Sequence, residues 1–158
     1  MRRVWIRLRH RSATELPSRL AAAGPRYAAA FATVRDPRRR PALPLLRKSS
    51  NPTVVTVSSS MGSFWAVTNP ERPESAMPLA LYAASKSAAA MLTVQYAKLH
   101  PGIKFNALEP GTTATDMTAA FGIGRPVEES ARIVVRLATL GADGPTGTFQ
   151  DENGDLPF

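Results

Sequence analysis

The 158-residue chain contains no cysteine, so neither a disulfide framework nor a thiolate metal site can be part of its architecture. Its two histidines, His10 and His100, lie far apart in sequence and suggest no metal cluster. No apolar run approaches the ~20 residues that a membrane-spanning helix needs, which makes a soluble, cytoplasmic protein the expectation. Glycine is scarce at the start, since residues 1–60 hold only Gly24. Acidic residues are scarce there as well. Up to Lys48, 13 Lys/Arg face only Glu15 and Asp36, a balance of +11. From Ser49 onward, 7 basic residues face 10 acidic ones, a balance of −3. The whole formal excess of +8 therefore lies in the first third, and this asymmetry marks a boundary near residue 42.

Residues 1–42 are rich in Arg, Ala and Pro. Arg3 to Arg9 alternates, with Val4, Ile6 and Leu8 on one side, as a short strand would. Ser12-Ala13-Thr14-Glu15 fits a capping box for a helix to about Ala23. Pro25 suits the first turn of another helix, ending near Arg35, and Asp36–Pro41 reads as an exposed linker. Three roles compete for this arm. It resembles an acid-poor transit peptide, it offers Arg38-Arg39-Arg40 to phosphates, or it is poorly ordered and has no specific task. Nucleic acid is the weakest of the partners considered, because no array of base-stacking aromatics accompanies the arginines.

From Ala42 the character changes. Leu43, Leu45 and Leu46 fit the last turn of a helix, followed by Arg47 and Lys48 at its negative end. A turn at Ser49–Pro52 leads to the β-branched run Thr53–Val57. Residues 61–78, with Pro70, Pro73 and Pro78, read as a long loop. A helix from about 78 to 99 follows, then a strand over 103–108 and a loop to Arg125. The next helix, 126–140, carries an apolar stripe of Val127, Ala131, Val134, Val135 and Ala138. A last short strand falls at 148–150. Helices alternating with short apolar strands imply parallel β-α-β units in an α/β fold.

Chemistry concentrates at Tyr82-Ala83-Ala84-Ser85-Lys86. A tyrosine and a lysine four apart share one face of a helix. A nearby ammonium favours the phenolate and turns a phenol into a usable general acid or base. Upstream, the strand ends in Ser58-Ser59-Ser60-Met61-Gly62. Downstream, Phe105-Asn106-Ala107-Leu108-Glu109-Pro110-Gly111 forms a strand running into Pro-Gly.

Strand–Ser–Ser, Tyr-x-x-x-Lys and strand–Asn-Ala-x-x-Pro-Gly, in that order, resemble the second half of a short-chain dehydrogenase/reductase, over about residues 43–158. The resemblance implies the last strands and helices of a doubly wound, Rossmann-like parallel sheet. It also implies hydride transfer between NADP or NAD, with NADP favoured, and a small carbonyl or alcohol. In that reading Tyr82 supplies the proton, Lys86 lowers its pKa and bonds the nicotinamide ribose, and Ser59 holds the substrate oxygen. Ser58 and Ser60 are rivals to Ser59. Pro110 and Gly111 would embrace the nicotinamide end, with Thr113 at its carboxamide and Thr115 near the phosphates. Asp116–Gly124, with Met117 and Phe121, falls where such proteins carry a lid, and Asn106 reads as structural.

Departures from that pattern accompany the match. No Gly-x-x-x-Gly-x-Gly turn is present to admit a pyrophosphate, and no asparagine precedes Asn51 to complete the family's proton relay. The strand at 53–57 would then expose an edge: either Val4–Leu8 covers it, or a partner does, or the protein is unstable. These departures lead to the expectation of a truncated or mis-started relative. The alternative is a non-catalytic module pairing with an intact relative, or with its own copy, through the helix at 79–99.

Overall fold

Strand β1, Thr53–Val57, is a run of five β-branched residues, the type that fits a pleated, half-buried surface best. It pairs in parallel with β2, Lys104–Leu108, in a register that sets Val55 against Asn106 and Val57 against Leu108. The computed structural model describes residues 42–158 apart from 117, 120 and 121. The strand at 3–9, the helices expected before Arg35, the linker after it and the role of the arm lie outside the described residues. So do Met117 and Phe121.

The sheet has the order β1-β2-β3-β4. β3, Phe149–Asp151, runs parallel to β2. β4, Gly154–Asp155, turns back antiparallel on β3 and adds an edge that the sequence did not announce. Among the described residues β1 has a neighbour on one side only. No helix among them is long and apolar enough to cross a membrane.

Side chains alternate along each strand and so serve two helix layers. Helix α1, Ala42–Leu46, and the 20-residue helix α3, Ala80–Leu99, which carries the Tyr82 motif, share one face; the short helix α2, Phe64–Thr68, lies between them in the chain. Phe105 packs with Ala97, Ile103 and Leu46, and Ala107 packs with Ala90, Phe149 and Leu156. Thr93 of α3 bonds Thr56 of β1 at 2.8 Å on this side. Helix α4, Val127–Ala138, covers the other face, where Leu108 meets Ile133 and Leu137 beside Val55. Each fully buried Leu or Phe contributes about 1.5–3 kcal/mol relative to exposure. The result is a helix–sheet–helix arrangement.

Two expectations need correction. The stretch 61–78 is not one loop: it folds as a 3-10 turn at Ser60–Gly62, helix α2, and a second 3-10 turn at Pro73–Ala76. Serines cap the first two pieces, with Ser59 Oγ accepting from Met61 N and Ser63 Oγ accepting from Ala66 N at 3.0 Å, while Pro70, Pro73 and Pro78 break the chain after α2. In α4 the buried face is Ser130, Ile133 and Leu137, whereas Val127 and Val135 are each 53% exposed. The helix is rotated so that its longer Ile and Leu side chains reach the sheet, and only Val134 of the expected stripe packs against that cluster.

Asn106 is structural. Its side chain is buried, donates to Pro145 O at 2.7 Å and accepts from Thr148 N and Oγ1 at 3.1 and 2.9 Å, tying β2 to the turn before β3.

Candidate active site

The carboxyl ends of parallel strands are where α/β sheets place their ligands, and here they carry three serines, the Tyr82 motif and the Pro110–Gly111 turn. Ser58 is committed to structure. Its N–H donates to Leu108 O at 2.7 Å and its hydroxyl donates to Lys86 O at 2.9 Å. Ser60 is tied down as well, through its N–H to the Glu109 carboxylate. Ser59 lies between them in extended backbone, and its Oγ accepts from Met61 N at 3.3 Å. That bond caps the 3-10 turn and keeps the Ser59 O–H proton available to an acceptor.

Gly62 lets this serine turn approach α3. A Cβ at Gly62 would stand 2.7 Å from the Lys86 carbonyl carbon and 2.9 Å from Lys86 Cβ. The contact is reinforced by Ser87 Oγ, which donates to Gly62 O at 2.9 Å. The turn and the lysine are thereby locked together.

Tyr82 is half-buried one helical turn before Lys86. The Lys86 ammonium lies 5.5 Å from the Tyr82 ring centroid, within the range of cation–π attraction. Only 8% of Lys86 is exposed. Its Nζ donates to Val57 O at 3.3 Å, which uses one of three donors. Burial pushes the Lys86 ammonium below the usual lysine range, and the Glu109 carboxylate offsets part of that.

The third component is the turn after β2. Gly111 has φ +76, a conformation that glycine takes without steric cost. A Cβ there would collide with the Arg125 guanidinium at 2.7 Å. Arg125 donates to Pro110 O at 2.6 Å and to Ser130 Oγ at 3.2 Å, and it pairs with Glu152. Thr113 Oγ1 bonds Ser130 Oγ at 2.7 Å and Gly111 O at 3.1 Å, so its hydroxyl serves the turn itself. Thr115 is exposed, and its N–H donates to Thr118 Oγ1 at 2.9 Å.

The expected residues therefore gather at one end of the sheet. Val57 O, two residues before Ser59, receives Lys86, which in turn lies over Tyr82. The Pro110–Gly111 turn is reached through Glu109, whose carboxylate accepts from Gly111 N at 2.6 Å and from Ser60 N. Sequence reasoning missed Glu74, Glu109 and Arg125. The one available signal was the position of Glu109, a carboxylate at the carboxyl end of a buried parallel strand. Among the described residues no group of His, Asp or Glu could hold a metal ion.

Comparison with known proteins bears on the family and the fold. The family model for short chain dehydrogenase matches residues 39–125, a stretch that contains Ser59, Tyr82, Lys86 and Pro110–Thr115. A short-chain dehydrogenase/reductase of Stachybotrys chlorohalonatus is 35% identical over 120 residues, covering 70% of this chain and 42% of that protein. Salutaridine reductase of Papaver bracteatum is 32% identical over 143 residues, covering 69% and 45%. Among solved structures, the carbonyl reductase Sniffer of D. melanogaster aligns with a TM-score of 0.56 at 27% identity, covering 76% of this chain and 51% of that one. The chain spans about half the length of the curated relatives it matches. Its partial sheet corresponds to part of their Rossmann-like fold. Since the family match extends over more than half of its residues, this chain belongs to the short chain dehydrogenase family.

Proposed function

We propose that this chain carries the catalytic half of an NAD(P)-dependent oxidoreductase that interconverts a small carbonyl compound and its alcohol. The observation that carries the reading is the buried Lys86 ammonium over the Tyr82 ring, beside the strand end that bears Ser59. In this reading Ser59 donates its hydroxyl proton to the substrate oxygen and fixes its position. Tyr82 gives up the phenolic proton as negative charge develops on that oxygen. Lys86 stabilises the phenolate left behind, and its proximity makes the transfer feasible near neutral pH.

The described residues fit the nicotinamide-ribose end of a dinucleotide. Lys86 is a buried ammonium with donors beyond its bond to Val57, and Pro110, Gly111, Thr113 and Thr115 line the turn after β2. When bound, the nicotinamide supplies or accepts the hydride. Residues for the pyrophosphate are not part of this fit, because no Gly-rich strand–turn–helix occurs in residues 1–60.

The test is nicotinamide absorbance with the full chain, NADPH first and then NADH, against a panel of ketones and their alcohols. A signal that Tyr82→Phe lowers at least about a hundredfold, in line with loss of a general acid, supports the reading. Turnover that is the same in Tyr82→Phe, or no turnover with either cofactor, overturns it for this chain.

A further inference from the structure

Glu109 has no part in the chemistry set out above, yet both of its carboxylate oxygens are committed to the site's backbone. Oε2 accepts the Ser60 N–H and Oε1 accepts the Gly111 N–H at 2.6 Å. Those two amides belong to the turns that leave β1 and β2. The ladder between the strands ends where Ser58 N donates to Leu108 O. The next amide, Glu109 N, donates in the other direction to Gln150 O. Past that point, among the described residues, the hydrogen bonds joining the serine turn to the Pro110–Gly111 turn are the two made by Glu109.

The charge is also placed to matter. Burial pushes the Lys86 ammonium below the usual lysine range, and the negative charge of Glu109 opposes that shift. Tyr82 is the other titratable group at that ammonium. On the neighbouring elements, Glu74 takes the fork of Arg72. Arg125 donates to Pro110 O and pairs with Glu152. Each of the Glu109 carboxylate oxygens already holds an amide. Glutamine offers a single acceptor oxygen, and aspartate is shorter by one methylene, so neither reproduces the double contact.

We propose that Glu109 is a positioning residue, clamping the serine turn to the Pro110–Gly111 turn and serving as counter-ion to Lys86. The hydroxyl, the phenol–ammonium pair and the turn facing the nicotinamide are thereby held in one arrangement. The consequence for turnover rests on the oxidoreductase reading; the clamp and the influence of its charge on Lys86 do not.

The experiment uses the full chain and two variants, Glu109→Gln and Glu109→Asp, with the exposed Glu128→Gln as control. Amide hydrogen exchange reads the clamp, and the pH titration of isotope-labelled Lys86 by NMR reads the counter-ion. In Glu109→Gln, exchange at one or both of the Ser60 and Gly111 amides accelerates about tenfold or more, as loss of a charge-assisted bond requires. Lys86 in that variant titrates at lower pH. In Glu109→Asp the Lys86 titration stays near that of the parent while one of the two amides still exchanges faster. Should Glu109→Gln fail to fold, the aspartate variant decides alone by that same pattern. Unchanged protection of both amides, or a Lys86 titration indifferent to loss of the carboxylate, overturns the proposal. A parent chain without turnover but with these responses would sink the oxidoreductase reading and leave the clamp standing.

Discussion

Replacing Gly62 by alanine tests the geometry of the site with a single methyl group. The added Cβ would lie 2.7 Å from a backbone carbon of Lys86 and 2.9 Å from its carbonyl oxygen, whereas ordinary contact begins at 3.4 Å. Closing that difference takes a retreat of about 0.7 Å by the serine turn, because helix backbone cannot give way. Overpacking of this kind costs about 1–3 kcal/mol. The reduced freedom of the unfolded chain returns about 0.4–1 kcal/mol, so a net loss of about 1–2 kcal/mol is expected. The retreat also strains Ser58 Oγ to Lys86 O and Ser87 Oγ to Gly62 O, both 2.9 Å. Ser59 moves with the turn, and a misplacement approaching 1 Å costs on the order of a hundredfold in rate. Urea unfolding measures the stability, and ketone-dependent NADPH oxidation measures the rate. Gly102→Ala is the control, since nothing lies within 4 Å of a Cβ there. If Gly62→Ala were as stable as the parent, the close packing of the serine turn on α3 would be wrong.

Three further outcomes follow from the packing and the charges. Leu108→Ala empties a position with 0% exposure beside Ile133 and Leu137, so it should lose about 2–5 kcal/mol in urea unfolding. Arg125→Ala removes the bonds to Pro110 O and Ser130 Oγ and should cost about 1–2 kcal/mol. Glu152→Gln removes only an acid that is 57% exposed and should cost less than about 1 kcal/mol; equal losses would mean that the ion pair, not the fork on Pro110, holds the turn. Burial pushes the Glu74 carboxyl up, but bonds from Ser60 and Arg72 outweigh it and leave the group below its ordinary 4.5. A depressed carboxylate contributes stability that is complete above 4.5 and lost as pH falls through the folded value. Glu74→Gln should therefore destabilise at pH 7 and match the parent in strong acid, and a gap that persists there would refute this account.

Much of the site was legible because its signals are local. Tyr82 and Lys86 share a helix face by spacing alone, and Pro110–Gly111 ends a strand by composition alone. The β-branched run at 53–57 and the apolar run at 104–108 became the paired parallel strands that alternation with helices implies. The breaks at Pro70, Pro73 and Pro78 were legible too, but the short helical pieces before Pro70 depend on caps by Ser59 and Ser63 that only the folded backbone reveals. The stripe of α4 was misread because Val127, Ala131 and Val135 are apolar without being the side chains that reach the sheet.

By itself the sequence determined which residue types stand on which strand end and helix face, because periods of two and of 3.6 are properties of the backbone. Tertiary structure alone decided how the adjacent serine hydroxyls are used, since Ser58 spends its proton on Lys86 O, 28 positions away, while Ser59 Oγ accepts from Met61 N. It also decided that Glu109 joins two turns 49 positions apart at Ser60 and two apart at Gly111. Hydrogen bonds of that reach exist only once packing has brought distant segments within about 3 Å, and no local pattern encodes such a meeting.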